Sequence, residues 1–194
     1  MPKRDSTHMA AQRERILRAA LSCIAAHGVE GTSIEHIRKA AGVSAGTIYR
    51  YFANKEDLVV AVLEHFSTHE AAVPVPKDWA DYRAGLMKEK RPTGLSSAAL
   101  DSAMLQLMAA ALSADYLRAA IRPVIERNLA EQRQVLEALV KSGGAEIAGT
   151  PEETVRAVSA VGIGMSWLAV LSGQSTEAAT EEAAAIIDRL VKPR

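Results

Sequence analysis

The stretch Ala41–Leu58, AGVSAGTIYRYFANKEDL, contains several helix boundaries in close succession. Gly42 is placed to end one helix, Ser44 to cap the next, and Asn54 to cap a further one. Asp57 then falls in a first helical turn, where the helix dipole favours a negative charge. Two short helices joined by a tight turn that contains glycine form the helix-turn-helix arrangement. The stretch therefore predicts a helix-turn-helix with its third helix at residues 45–52.

The residues before this stretch predict two further helices. Apolar residues recur at helical spacing over residues 9–27, and Gly28 follows as a predicted carboxyl-terminal cap. Thr32 and Glu35 then have the spacing of a capping box, in which Thr32 caps the second helix and Glu35 is its partner. The head of the chain is thus predicted to consist of three helices, with a fourth beginning at Asn54.

The residue types of the third helix suit an approach to DNA. Ala45 and Gly46 keep its start slim, so that it can reach base edges in the major groove. Tyr49 and Tyr51 have packing as an alternative role, but on so short a helix they cannot both be core. Hydroxyl and cationic donors are predicted to face outward from Thr47, Tyr49, Arg50, Tyr51 and Lys55.

Charge is unevenly spread along the 194 residues, although the whole chain has a formal charge of zero. Residues 1–55 hold nine basic and four acidic residues, which gives +5, and the remainder carries −5. A basic head on an acidic body is typical of a head that binds a polyanion. Chance segregation of solvated charges is the alternative. Lys3, Arg4 and Arg13 are predicted to form a leading arm that contacts phosphates or the minor groove.

The segment 41–58 resembles the DNA-binding signature of the TetR family of one-component transcriptional regulators. The resemblance begins in the first helix, QRERILRAALSCIAAHG at residues 12–28, and extends to about Phe66, roughly a third of the chain. It implies an all-α fold of about nine helices and a homodimer. The helix-turn-helix DNA-binding domain would occupy residues 1–55, and a ligand-binding and dimerisation domain residues 56–194.

The resemblance also implies contacts with a double-stranded DNA operator. Phosphate contacts are implied for Thr32, Ser33, Thr47, Tyr49, Tyr51 and Lys55. Positions near base edges are implied for Ala45, Gly46, Thr47 and Arg50, and Ser44 at the start of the third helix completes the predicted DNA-binding set. His36 projects from the second helix, where a solvated surface histidine is the simpler interpretation.

The end of the chain predicts two helices suited to a subunit interface. Thr150, Pro151 and Glu153 form a strong helix start, and the residues that follow, to Gly173, are apolar nearly all round with many small side chains. A helix that is apolar all round must be covered on all sides. We therefore expect a homodimer through the last two helices, with a buried helix of a monomer as the alternative.

No run of about 18 apolar residues is evident, so no spanning helix and no membrane partner are expected.

Large, adaptable side chains on predicted interior faces make a candidate pocket for a small-molecule effector. Each of them has plain core packing as its alternative, and His65 with His69 also has the spacing of a zinc pair, but no third ligand is nearby. No metal is therefore predicted. The candidate ligand-binding residues are His65, Phe66, His69, Trp79, Tyr82, Met87, Met104, Met108, Tyr116 and Trp167.

An enzyme is not predicted, because recognisable nucleophile, phosphate-loop and metal spacings are missing. Cys23 lies on the apolar side of the first helix and is interpreted as inert core. No cofactor is expected, and the start of the chain lacks the apolar stretch of a secretory signal, so the cytoplasm is the expected location. The sequence thus favours a ligand-responsive regulator, most simply a repressor. A ligand-independent architectural DNA-binding protein and an enzyme with an unrecognised site stay as alternatives.

Overall fold

The computed structural model describes residues 3–67, 76–87 and 95–193 and confirms the all-α prediction. Nine helices and one short two-stranded sheet lie within these ranges. The helices are α1 (Lys3–Gly31), α2 (Ile34–Ala41), α3 (Ala45–Tyr51), α4 (Lys55–Ser67), α5 (Trp79–Met87), α6 (Ser97–Ala111), α7 (Asp115–Lys141), α8 (Pro151–Ser172) and α9 (Thr176–Leu190). The strands are β1 (Ala145–Ile147) and β2 (Val191–Pro193), which pair antiparallel.

The chain folds into two compact units whose division differs from the predicted boundary after residue 55. The first unit comprises Met1–Thr68 and Pro92–Arg122, and the second comprises His69–Arg91 and Pro123–Arg194. The first unit therefore contains α4, α6 and the start of α7 as well as the predicted head. Helix α7 is continuous through Pro123, where the two units meet in sequence. The division into a DNA-binding domain at residues 1–55 and a ligand-binding and dimerisation domain at residues 56–194 stays a prediction.

The first unit is built around α1, which packs along α6 and also against α2 and α4. Ile16, Leu17 and Leu21 of α1 are completely buried, and Leu58 of α4 joins the same core. Ala103 on α6 is also fully buried, and its small side chain permits close approach of another helix. Cys23 is buried in this core, where desolvation raises the pKa of its thiol above the ordinary value.

Helix α1 is interrupted where the sequence predicts its end. Gly28 has φ 72° and ψ 173°, a conformation essentially restricted to glycine, and one further turn then runs to Gly31. Near the break, Gln106 of α6 donates from Nε2 to the backbone oxygen of Ala25 at 3.2 Å. The prediction of a special glycine conformation at Gly28 is confirmed.

The second unit has its own core between α5, the later part of α7, α8, α9 and the small sheet. Trp79 and Tyr82 are buried, with ring centroids 5.2 Å apart. The indole Nε1 of Trp79 donates to Oδ1 of Asp188 at 2.9 Å, and Arg83 pairs with the same carboxylate at 3.1 Å. The strands were missed because each has only three residues. Val191 caps α9 at its carboxyl end and is buried at the start of β2.

Helix α8 begins and ends as predicted. Thr150 caps it in a capping box with Glu153, Pro151 opens it, and Gly173 closes it with φ 68°. Among the described residues, this is the one helix long and apolar enough to cross a membrane, by length and composition only, with a mean hydropathy of 1.5. Ser159 and Ser166 interrupt its apolar residues, so the helix holds no unbroken run of about 18 of them, and it meets the criterion because hydropathy is averaged over a window.

Candidate nucleic-acid interface

Helix α2 is capped one residue later than predicted. Ser33 is the cap: its Oγ accepts from the backbone N–H of His36 at 3.1 Å, and its own N–H donates to Nδ1 of His36 at 3.4 Å. Thr32 is not the cap, because its side chain is 1% exposed and its hydroxyl donates to the oxygen of Gly28 at 2.6 Å. That burial also removes the Thr32 side chain from the surface offered to DNA.

Glu35 has a different role from the one predicted. Its carboxylate pairs with Arg38 at 2.6 Å and with Lys39 at 3.5 Å. The hydrogen bond from Arg38 is the main cause that lowers the pKa of Glu35 to about 2. Two of the head's basic residues thus share one acidic partner within α2 itself.

The turn between α2 and α3 has the geometry that the sequence predicts. Gly42 has φ 62°, in the left-handed region, and the N–H of Val43 donates to the oxygen of Arg38 at 3.2 Å. Ser44 then caps α3: its Oγ accepts from the N–H of Thr47 at 3.1 Å and lies 2.9 Å from the Thr47 hydroxyl. Beneath the turn, four apolar side chains from the two helices and the turn are buried or half-buried: Ile37, Val43, Ile48 and Phe52.

The opposite face of α3 is open. Tyr49 is 53% exposed, and Gly46 and Arg50 are exposed as well. A side-chain carbon on Gly46 would meet its nearest neighbour, Oγ of Ser44, only at 3.9 Å, so this end of the helix is unobstructed. The predicted division of α3 into a buried anchor and a slim outer face is therefore present.

Arg50 and Tyr51 share a partner that sequence reasoning missed. Nη2 of Arg50 and the hydroxyl of Tyr51 each donate to Oε1 of Gln12 in α1, both at 3.0 Å. The guanidinium also lies over the Tyr51 ring, 5.3 Å from its centroid. Tyr51 is half-buried, so of the two tyrosines Tyr49 is the outward one and Tyr51 is partly a packing residue.

The start of α4 completes this surface. The N–H of Asp57 donates to Oδ1 of Asn54 and the N–H of Ala53 donates to Oδ2 of Asp57, both at 2.8 Å, which confirms the predicted cap. Lys55 donates from Nζ to the backbone oxygen of Glu30 at 3.2 Å. The hydrogen bonds of Lys55, like those of Arg50, therefore go to neutral groups within the described part of the chain.

Five of the basic residues of the head fall into two groups. Arg18, Arg38 and Lys39 pair with glutamates on their own helices. Arg50 and Lys55 form no ion pair with a described residue, so their positive charge stays available to an anion. The side chains of Lys3 and Arg4 lie outside the described part, and His36 is exposed with its ring 5.0 Å from that of His27.

The candidate ligand-binding residues divide between the two units. His65, Phe66, Met104, Met108 and Tyr116 belong to the first, and Trp79, Tyr82 and Trp167 to the second. His69 and the side chain of Met87 lie outside the described residues.

The contacts of several candidate ligand-binding residues are those of packed side chains. Nε2 of His65 lies 2.5 Å from Oε2 of Glu14, and its ring meets Phe66 edge-on at 4.7 Å. Burial of Tyr82 raises the pKa of its phenol to about 12. Their assignment to an effector pocket stays a prediction.

A shallow cleft of about 230 Å³ lies within the second unit. Its lining is mixed in charge and does not include the candidate ligand-binding residues: Glu126, Leu129, Ala130, Arg133, Glu152, Val155 and Arg156. Within the described residues, no three His, Cys, Asp or Glu side chains are grouped so that they could hold a metal ion.

A helix-turn-helix with an open third helix, followed by a larger helical body, defines the class of helix-turn-helix transcriptional regulators. Residues 16–62 match the family model for bacterial regulatory proteins of the tetR family. The HTH-type transcriptional repressor AcnR of Corynebacterium diphtheriae is 33% identical over 73 residues, which are 38% of each chain. The match thus spans little more than a third of that relative's length.

Solved structures extend the likeness to the whole fold. The reduced form of E. coli NemR superposes with a TM-score of 0.76 at 22% identity, covering 95% of this chain and 100% of that one. A TetR transcription regulator from Haloarcula marismortui gives 0.72 at 19% identity, covering 94% and 100%. The helix-turn-helix segment thus matches the tetR family of bacterial regulatory proteins over residues 16–62, and the solved structures show that the chain has the fold of such regulators. Members of this family are regulators and not enzymes, in agreement with the sequence expectation.

Proposed function

We propose that the chain is a sequence-specific DNA-binding repressor that acts as a homodimer and is released from its operator by a small molecule. The observation that carries this proposal is the open face of α3, flanked by two cations without an acidic partner among the described residues. Arg50 lies at the end of α3 and Lys55 in the first turn of α4. Both hydrogen-bond to neutral groups, so neither charge has to be freed from a carboxylate before it meets DNA.

Arg50 and Lys55 would have different tasks on DNA. An arginine can donate two parallel hydrogen bonds to O6 and N7 of guanine, which gives about 1–3 kcal/mol of discrimination against other bases. A lysine that meets a phosphate gives affinity without base preference. Arg50 is the candidate base reader, and Lys55 with Ser33, Ser44, Thr47 and Tyr49 would set the register on the phosphates.

Dimerisation would use the last two helices. Ile163, Leu168 and Leu171 of α8 are 46%, 59% and 75% exposed, and Ile186 of α9 is 38% exposed. Gly162 and Gly164 lie on the same helix, and a side-chain carbon at either would meet nothing within 4 Å. An exposed apolar surface of this kind with small residues suits the close approach of a second copy. A dimer would place two α3 helices in successive major grooves, roughly 34–36 Å apart, on a near-palindromic site.

The effector would act through the helices that carry the head. Its differential affinity for two conformations need supply only about 1–3 kcal/mol to change DNA affinity roughly 5- to 150-fold. Helix α4 begins beside the DNA surface and contains His65 and Phe66, so it is the element through which a ligand would displace the head. The cytoplasm, where the operator would be found, is the expected location.

Selection from a pool of random duplexes tests this function. Purified chain should enrich a near-palindromic sequence, and sedimentation at micromolar concentration should give a dimer. A screen of metabolites for release of the selected duplex would then identify the effector class. Failure to enrich any sequence from the pool would refute the proposal. Enrichment without release by any metabolite would favour the architectural alternative.

A further inference from the structure

Gln12 is the point at which α1 touches the DNA-facing side chains of α3. Its single oxygen, Oε1, accepts from Nη2 of Arg50 and from the hydroxyl of Tyr51, each at 3.0 Å. These bonds join residues 38 and 39 positions apart, and all three side chains belong to the first unit. The amide oxygen therefore fixes both the position of the guanidinium and the tyrosine ring beneath it.

We propose that Gln12 is a specificity-determining residue that positions Arg50 for base reading, although it lies outside the helix-turn-helix. The inference rests on the proposed DNA-binding function. A free arginine side chain occupies many rotamers, and a base-reading arginine loses that freedom on binding. Gln12 and the Tyr51 ring hold the guanidinium in one place before DNA arrives, which is preorganisation.

The donor pattern leaves the guanidinium able to read a base. The bonds described for Arg50 use only Nη2, at 3.0 Å to Gln12 and 3.5 Å to the Tyr51 hydroxyl. Both parallel N–H pairs of the guanidinium include Nη2, which carries two N–H groups. Arg50 can therefore keep one Nη2 N–H on Gln12 and exchange the long 3.5 Å contact with the Tyr51 hydroxyl for a two-point approach to O6 and N7 of guanine. Gln12 thus restrains the arginine on one side without occupying its whole fork.

The neutrality of the amide matters as much as its position. A carboxylate at residue 12 would accept the same hydrogen bonds but would neutralise Arg50 and repel phosphates. Glutamine supplies the acceptor without the charge. Gln12→Glu and Gln12→Met therefore separate the two properties, since the first keeps the acceptor and adds charge while the second keeps the length and removes the acceptor.

The experiment compares base preferences of full-length variants on the duplex that the wild-type chain selects from a random pool. Duplexes with each base pair changed singly are titrated with wild type, Gln12→Met, Arg50→Ala and the double variant. Gln12→Met should lower the preference at the position that Arg50→Ala relaxes, by about three- to tenfold, the range expected for the loss of one hydrogen bond of ordinary net strength. In the double variant, the loss of Gln12 should add nothing to the loss of Arg50, because the two act as one unit.

Two further variants test base preference and salt dependence, two quantities that would not change if Gln12 only stabilised the fold. Tyr51→Phe removes the second donor to Gln12 and should reduce the same base preference in part. Gln12→Glu should weaken binding to every duplex and reduce the slope of affinity against salt by about one phosphate contact. Gln134→Met, at an exposed glutamine of α7, is the matched control and should leave both quantities unchanged. If Gln12→Met does not fold, as judged by thermal unfolding, the results with Tyr51→Phe and Gln12→Glu test the positioning role of Gln12 instead.

The outcomes separate this inference from the function on which it rests. Unchanged base preference in Gln12→Met, or an equal loss on preferred and scrambled duplexes, would overturn the positioning role while leaving DNA recognition intact. A wild-type chain that selects no sequence would instead overturn the DNA-binding function, and the role of Gln12 with it.

Discussion

Gly28 offers the sharpest test of how the first unit is held together. Its backbone, with φ 72° and ψ 173°, lies in a region that is essentially closed to other residues. Forcing alanine into such a conformation costs on the order of 1–3 kcal/mol. A Cβ at this position would also lie 2.5 Å from Oε1 of Gln106, which is too close.

The second part of the cost comes from α6. To relieve the contact, the Gln106 side chain must move, and its hydrogen bond to the oxygen of Ala25 is then lost, at about 1 kcal/mol. Gly28→Ala should therefore destabilise the first unit by about 2–4 kcal/mol in total. Gly42→Ala is the control: φ is 62° there too, but a Cβ would meet nothing within 4 Å, so only a backbone cost of about 1–2 kcal/mol applies.

Amide hydrogen exchange within the buried part of α1 measures this cost where it arises. Both tryptophans, Trp79 and Trp167, belong to the second unit, so their fluorescence reports on the other core and serves as an internal reference. A loss of about 2–4 kcal/mol corresponds to exchange roughly 30- to 1,000-fold faster in Gly28→Ala.

A double-mutant cycle with Gln106→Ala isolates the steric part. On that background Gly28→Ala should cost about 1 kcal/mol less, because the crowded Oε1 and the hydrogen bond donated by Nε2 of Gln106 are already gone. The reasoning would be refuted if Gly28→Ala lowers the free energy of unfolding no more than Gly42→Ala does. A coupling free energy of zero between Gly28→Ala and Gln106→Ala would refute it as well.

Three other predictions concern DNA, the subunit interface and alkaline stability. Arg50→Ala should reduce base preference by a factor that corresponds to about 1–3 kcal/mol, measured by titration of duplexes with single base changes. Lys55→Ala should weaken binding to all duplexes alike and reduce the dependence of affinity on salt. Equal effects of the two variants on base preference would contradict this division. Leu168→Glu should convert the dimer to a monomer in sedimentation at micromolar concentration. Leu112→Glu is the control, at a leucine that is 78% exposed in the first unit, and this variant should stay dimeric. If both variants stay dimeric, the subunit interface does not include Leu168. Burial raises the pKa of the Tyr82 phenol from 10.0 to about 12. As pH rises, the unfolded chain therefore loses this proton before the folded chain does. The stability that the buried neutral phenol contributes is present below pH 10 and is lost between pH 10 and pH 12. Urea unfolding at pH 9 and pH 11 should show a smaller alkaline loss in Tyr82→Phe than in wild type, with Tyr49→Phe as control; equal losses would assign the effect to other groups.

Local signals in the sequence were sufficient for most of the fold. Caps such as Ser44, Asn54 and Thr150 act on backbone N–H groups within a few residues, so their geometry is encoded where they stand. Glycines at 28, 42 and 173 mark backbone conformations that other residues avoid, and these too are local. The helix-turn-helix could therefore be predicted before any tertiary contact was known.

The errors have a common physical origin in competition between nearby partners. Thr32 had the spacing of a cap, but its hydroxyl and its backbone N–H both donate to the Gly28 carbonyl, and Ser33 caps the helix instead. The partner of Ser33 is His36, while Glu35 pairs with basic residues on its own helix. Spacing alone does not say which of two adjacent hydroxyls will be buried.

The sequence by itself determined the helix boundaries, the basic head and the slim, donor-rich third helix, because propensity, capping and charge act between residues close in the chain. Only the tertiary structure decided that Gln12 meets Arg50 and Tyr51, that Gln106 meets Ala25, and that Trp79 bonds Asp188. Each of these pairs joins residues far apart in sequence, and their encounter depends on how whole helices pack around a shared core. Periodicity reports which face of a helix is buried, but not which side chain of another helix it will touch.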